Sequence, residues 1–372
     1  MGVTAELTTI AIGVGVLGAA AAVVSARSES RSSSSVVVRT GIAVAGLGLA
    51  GAVLTLAIVP VAAFAVAHLL YLLAVVSLPI VGVGFAVAWV RGRGRRALGV
   101  TAVALLLLAP LGIWATHVAP FRLREDRASL ALRPGRSLDR PLRVGVLADL
   151  QTIGVTEYER SAVDRLMARE PDVILIAGDL FQGNGEQFAR TLPAYRAMLG
   201  RLRAPGGVYV VRGDVDGDGF DQLIEGTGIE ILDDEVTTAE VGDQRVVIGG
   251  VRLDYQSESA QAVYDELEAV RGDEPVLLLS HRPDSVLELR PSSRVDLTVA
   301  GHTHGGQIAL PIVGPPVTLS SVPRAVGAGG LHEVAGNAVY VSTGVGLERG
   351  QAPQIRFLTR PSFGVIDLLP PV

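Results

Sequence analysis

From its start to about Val118 the chain is nearly continuous Ala, Val, Leu and Gly, broken only by short Arg-bearing stretches. A helix that crosses a bilayer needs about 20 apolar residues. The sequence supplies such runs near Val3–Ser25, Val36–Val59, Val61–Val90 and Ala97–His117. The middle pair abut at Pro60, where a short turn fits. Uncharged runs of this length argue against buried helices of a soluble protein. The first run lacks a basic leading segment and further runs follow it, so it does not read as a signal peptide. Four membrane spans, a multi-pass location in the cell membrane and a helical domain over residues 1–120 are therefore expected. Arg27, Arg31 and Arg39 follow the first span, and Arg91, Arg93, Arg95 and Arg96 follow the third. With four spans both groups fall on one side, which the positive-inside rule makes cytoplasmic. The rest of the chain is then extracytoplasmic, although Arg122, Arg124 and Arg127 close behind the last span pull the other way. A transport pathway is not supported, because these runs hold almost no ionisable residues and His68 is the only candidate for such a role.

Residues 121–140 read as a linker. From Arg143 onward, within a domain expected over 141–372, short β-rich runs alternate with helical stretches, the signature of an α/β core. The runs Leu142–Ala148, Asp172–Ala177, Gly207–Val211, Pro275–Leu279 and Val295–Ala300 each stop at a polar residue. Gln244–Gly249 reads as a further strand, and Glu157–Arg169 and Glu258–Val270 as helices. Ligands bind at the carboxyl ends of strands in open α/β sheets. The strand ends would gather Asp149, Asp179, Asp214, His281, His302 and His304 along one edge. Three carboxylates that close together repel unless cations sit among them. Asp and His without Cys form a ligand set for Mn²⁺, Fe or Zn²⁺, and the chain has no cysteine. Taken singly, Asp149 or Asp179 is more often a helix cap, and His281 a loop histidine. His302 and His304, two apart in a Gly-rich turn, point to metal. His68, His117 and His332 read as structural. The net charge of −5 and the scarcity of aromatic stacking platforms disfavour nucleic acid as a partner.

Asp149-Leu150-Gln151, Gly178-Asp179-Leu180, Gly213-Asp214-Val215-Asp216, Ser280-His281 and Gly301-His302-Thr303-His304-Gly305-Gly306-Gln307 resemble, in order and spacing, the five blocks of the calcineurin-like metallophosphoesterases. Leu310-Pro311, Val339–Gly346 and Arg360-Pro361 resemble that family's membrane-anchored bacterial branch. The resemblance implies a helical membrane bundle joined to a four-layer α/β/β/α sandwich. It also implies two divalent metal ions and hydrolysis of a phosphomonoester, phosphodiester or pyrophosphate by metal-bound hydroxide. Carried over position by position, Asp149, Asp179, His304 and, weakly, Gln151 would hold one metal. Asp179, Asp214, His281 and His302 would hold the other. Gln151 and Val215 stand where the family has histidines, and Asp214 where it has asparagine. Valine cannot protonate a leaving group, a role worth about 10²–10⁴-fold. Asp216, Asp218 or a bound water would have to substitute, or the substrate would need a good leaving group. Asp179, Asp214, Asp216 and His302 are the expected catalytic set. Phe181, Asn184 and Phe220 flank the edge as cleft candidates. The substrate would be a phosphorylated small molecule or lipid-linked compound. A metal-binding pseudoenzyme with a regulatory role is the alternative.

Overall fold

The computed structural model describes residues 2–27, 33–58, 62–91 and 96–371. Pro60, Arg31, Arg93 and Arg95, used above to place a turn and an orientation, lie outside the described residues. The chain divides into two compact units, one of residues 1–118 with 348–354, the other of residues 119–347 with 355–372.

The first unit is helical: α1 (Gly2–Ala26), α2 (Ser33–Ile58), α3 (Ala62–Leu72), α4 (Leu78–Arg91), α5 (Arg96–Leu106) and α6 (Leu108–His117), with a π-helical turn at Leu73–Ser77. Three helical stretches among the described residues, Thr4–Ala26, Phe64–Arg91 and Arg96–Phe121, are long and apolar enough to cross a membrane, and Ser35–Gly51 of α2 is a shorter apolar helix. Small residues bring these helices together. A Cβ on Gly84 would lie 2.7 Å from the backbone of Ala19, so α4 and α1 touch through their main chains, as small-residue packing allows in apolar surroundings. Tyr71 donates to the Gly112 carbonyl at 3.0 Å, and His68 Nδ1 lies 3.2 Å from the carbonyl of Gln351. His68 therefore has a structural partner, as expected.

The second unit contains β1 (Arg124–Ala131), β2 (Leu142–Leu147), α7 (Glu157–Met167), β3 (Val173–Ile176), α8 (Gly185–Leu199), β4 (Val208–Val210), α9 (Phe220–Ile224), β5 (Glu230–Ile231), β6 (Glu235–Val241), β7 (Gln244–Val251), α10 (Glu258–Ala269), β8 (Val276–Ser280), β9 (Leu297–Ala300), β10 (Gly330–Val334), β11 (Asn337–Val341) and β12 (Ser362–Leu369). The strands form two six-stranded mixed sheets, ordered β1-β12-β2-β3-β4-β5 and β10-β11-β9-β8-β7-β6. Within them β2–β5 run parallel, as do β7, β8, β9 and β11.

The layers follow from which residues alternate. Val144 and Val146 of β2 face a core shared with Ile248, Leu277 and Val299 of the other sheet. Leu147, Ile174 and Ile176 face the other way, against Leu166 of α7 and Tyr195 and Met198 of α8. Val247 and Leu278 pack against Val263 and Leu267 of α10. Each such fully buried Val, Leu or Ile side chain stabilises by about 1.5–3 kcal/mol. The outcome is the four-layer helix–sheet–sheet–helix sandwich. Residues 124–131, inside the stretch read as a linker, are the edge strand β1, paired in parallel with β12. Its Arg124, Glu125, Asp126 and Arg127 gave it the look of a connection, but charge on an edge strand also discourages strand-to-strand aggregation.

Candidate metal centre

Five parallel strands end at the expected residues. β2, β3 and β4 lead into Asp149, Asp179 and Asp214, and β8 and β9 into His281 and His302. Backbone bonds fix the loops relative to one another: Asp149 N donates to Gly178 O (3.0 Å), Gln151 N to Asp179 O (2.9 Å) and Gly301 N to His281 O (3.0 Å). The loops are also strained. Asp149, Gln151, Asp179, His302 and His304 all adopt positive φ, between 35° and 70°. Non-glycine residues avoid that region, and where held there they cluster at functional sites. Gly213 is required by closeness, because a Cβ there would sit 2.1 Å from Asp179 Oδ1.

Two groups of ligand-type atoms gather, Asp214 with His281 and His302, and Asp149 with Asp179 and His281. His281 Nε2 is 3.2 Å from Asp214 Oδ2 and 3.5 Å from Asp179 Oδ2. His302 Nδ1 is 2.6 Å from Asp214 Oδ2. His304 Nε2 stands further out, 4.0 Å from Asp149 Oδ1. Thus the group around Asp149 and Asp179 contains His281, where the resemblance implied His304. Asp149 Oδ2, His281 Nε2 and His304 Nε2 are buried without a hydrogen-bond partner. Orphaned buried polar atoms are expensive, and a cation among them would satisfy all three.

Hydrogen bonding sets the imidazoles up as ligands. His281 Nδ1 faces the Ala177 carbonyl at 2.6 Å, and His302 Nε2 faces the Leu319 carbonyl at 3.1 Å. Each ring therefore donates from one nitrogen to a carbonyl and turns its other nitrogen toward the carboxylates, where a proton or a cation is favoured. His304 differs, since Arg356 Nη2 lies 3.3 Å from its Nδ1. Burial pushes the Asp149 carboxyl up to about 7, with His281 opposing and Asp179 adding. Burial works against protonation of His281, yet Asp179 and Asp214 raise it to about 10. The spot thus attracts positive charge, proton or cation alike. Burial, with the charge of Arg356, holds His304 far below its ordinary value and hence neutral.

Three residues have partners that the sequence did not indicate. Asp216 is a brace: its carboxylate accepts from Asp179 N (2.8 Å), Leu180 N (2.8 Å) and Gly213 N (2.9 Å), which leaves it badly placed to protonate a leaving group. Gln151 donates its amide N–H to Asp179 Oδ2 at 2.9 Å. Asp214, whose extra charge should repel phosphate, is paired with Arg282. Burial works to raise the Asp214 carboxyl, but His281, His302 and Arg282 hold it well below the usual carboxylate range.

Arg282 and Arg356 were not foreseen. Arg282 directly follows His281, so its place at the strand end was a usable signal. Arg356, flanked by Ile355 and Phe357, gave only the oddity of a charge in an apolar stretch. Val215 donates its backbone N–H to Asp179 Oδ1 at 2.9 Å. Its side chain lines a cavity of about 440 Å³ with Phe181, Asn184, Phe188 and Phe220, which brings the three cleft candidates together.

Residues 142–306 match the family model of the calcineurin-like phosphoesterases. An uncharacterized metallophosphoesterase of Helicobacter pylori strain J99 is 26% identical over 245 residues, covering 63% of this chain and 61% of that protein. Phosphodiesterase YaeI of Escherichia coli K12 is 26% identical over 240 residues, covering 62% of this chain and 83% of that protein. A transmembrane protein with metallophosphoesterase domain from Bos taurus is 28% identical over 226 residues, covering 55% of this chain and 48% of that protein. The chain spans less than two thirds of the length of the Helicobacter and bovine relatives. Strand order, site residues and family match agree, and residues 142–306 of this chain are similar to the calcineurin-like phosphoesterases.

Proposed function

We propose that this chain is a membrane-anchored phosphoesterase that holds two divalent cations, Mn²⁺, Fe or Zn²⁺, among Asp149, Asp179, Asp214, His281, His302 and His304. The observation that carries this reading is the pair of ligand groups that share His281, Asp149 with Asp179 and Asp214 with His302, in which Asp149 Oδ2 and His281 Nε2 are buried without a hydrogen-bond partner. Bound there, the cations would supply electrophilic activation of a phosphoryl group and a nucleophile from water at neutral pH.

The chain's own residues then divide the work. Asp179 belongs to the ligand group with Asp149 and His281 and is fixed by N–H donors on both oxygens, Val215 N and Gln151 Nε2. Arg282 neutralises Asp214 and offers a planar guanidinium at the site's mouth, suited to phosphoryl oxygens. Asp216 keeps the Asp179 and Gly213 loops in register. Asp216 is held by backbone N–H groups, which leaves Asp218 on the wall of the cavity beside Val215 or a bound water to stand in for the missing acid, so the reading favours esters with good leaving groups. The phenylalanine-lined cavity beside Val215 suits an apolar or aryl group on that oxygen.

In the same reading residues 1–120 anchor the enzyme through four spans, and the metal unit lies outside the cytoplasm, with Arg27, Arg39, Arg91 and Arg96 inside. A phosphorylated small molecule or a lipid-linked phosphoester would be the substrate. The alternative, a metal-binding domain without turnover, draws on Gln151 and Val215. Hydrolysis of bis(p-nitrophenyl) phosphate by the full chain in detergent with Mn²⁺, lost in Asp179→Asn, tests the choice. Metal binding without Mn²⁺-dependent turnover by the unaltered protein would favour the pseudoenzyme.

A further inference from the structure

Between His304 and Arg324 the chain carries no charged side chain. This segment is ordered, not slack. Ala309 N donates to Phe357 O at 2.8 Å, and Leu310 and Gly314 exchange two backbone bonds of 2.9 Å. The turn they close holds Ile312 at φ 70° with its side chain fully exposed. A β-branched residue is poorly suited to that conformation, where turns favour Gly or Asn. Leu310, Val313, Val317, Leu319 and Leu358 are exposed as well. Grouped apolar exposure of this kind marks a surface that meets a partner or a membrane.

Two contacts favour lipid. Arg360, two residues beyond Leu358, donates through Nε to the Arg122 carbonyl at 3.0 Å. Arg122 directly follows Phe121, the last residue of an apolar helix long enough to cross a bilayer. This edge of the C-terminal unit is therefore where the chain leaves the apolar helix. In addition, the Leu319 carbonyl faces His302 Nε2 at 3.1 Å, which ties the loop to the metal centre.

We propose that residues 310–319, with Leu358, form a lipid-contacting loop in which Ile312 and Val313 enter the boundary between headgroups and acyl chains. The inference rests on the reading of the N-terminal helices as membrane spans, and it narrows the substrate to a phosphoester displayed at a lipid surface. Interfacial binding of this type scales with the apolar area buried.

The chain has no cysteine, so Ile312→Cys accepts a single nitrobenzoxadiazole label on the otherwise unaltered full chain in phosphatidylcholine vesicles. Quenching by a nitroxide placed shallowly on the acyl chains, with little quenching by aqueous iodide, is the expected result. Quenching by iodide alone overturns the proposal. So does protection from both quenchers, which would mean that a second copy or another protein covers the loop. In Ile312→Asp/Val313→Asp, turnover of soluble bis(p-nitrophenyl) phosphate should stay within about twofold, while turnover of a lipid-linked aryl phosphodiester in the same vesicles falls at least about tenfold. Equal loss on both substrates overturns the proposal too. If the unaltered protein hydrolyses neither ester, the phosphoesterase reading fails, and the quenching result still decides the loop.

Discussion

Replacing Arg356 by methionine isolates what a buried cation does beside the His304 loop. The guanidinium is fully buried. Nη1 donates to the His304 carbonyl at 2.6 Å, and Nη2 to those of Gly346 at 2.7 Å and Thr343 at 2.8 Å. Burial lowers its pKa to about 10, so it remains charged at neutral pH. Methionine keeps much of the volume and removes all three donors. Each stranded carbonyl costs about 1–3 kcal/mol. Relief from burying the charge returns several kcal/mol, which leaves a net destabilisation of about 3 kcal/mol. For a unit of this size each kcal/mol shifts Tm by about 2–4 °C, so Tm should fall by roughly 6–12 °C. Tyrosine near-ultraviolet circular dichroism is the assay. Trp89 and Trp114 lie in the helical unit, whereas every tyrosine except Tyr71 lies in the metal-site unit. Arg356→Lys keeps the charge without the planar fork and should recover only part of the loss. A Tm for Arg356→Met within about 2 °C of the unaltered protein would refute the brace.

Four further outcomes follow from the site. Asp179→Asn should lower Mn²⁺-dependent turnover by at least about 100-fold while Tm moves little; a smaller drop in steady-state rate would remove Asp179 from the set of metal-holding residues. Val215→His should raise rates on alkyl phosphodiesters by about tenfold or more and aryl rates much less, and a uniform change across a leaving-group series would contradict the missing-acid account. Arg282→Gln should raise KM for phosphodiesters by about tenfold, in line with loss of one charged hydrogen-bond partner; an unchanged KM would show that Arg282 serves Asp214 alone. Gly301→Ala would put a Cβ 2.8 Å from Asp149 Oδ2 and 2.9 Å from the Ala148 side chain, so Mn²⁺ affinity measured by calorimetry should weaken, and an unaltered affinity would mean that the loop can yield.

Local pattern made much of this legible. β2, β3, β4, β7, β8 and β9 coincide with apolar runs, and α7 and α10 with helical spacing, because residues buried on both faces of a strand cannot be disguised. The same punctuation, an apolar run cut short by Asp or His, marked the site. What stayed hidden depends on distant partners. β1 is charged and is a strand only because β12 pairs with it. Asp216 looked like an acid, and only the N–H groups of Asp179 and Leu180, far off in sequence, make it a brace. Arg356 and Arg282 acquire meaning from His304 and Asp214, and no spacing rule links them. That His281 stands within the group around Asp149 while His304 Nε2 lies 4.0 Å from Asp149 Oδ1 is a matter of ångströms, below the reach of motif order.

The position of β12 has a consequence for biogenesis. This strand lies between β1 and β2, so the first sheet cannot close until residues 362–369 have left the ribosome. Until then Asp149 and its neighbours wait on a half-built sheet with open edges. The candidate site thus cannot be framed by a complete sheet before β12 is made, and a stop near residue 360 would leave an edge-exposed fragment for quality-control proteases.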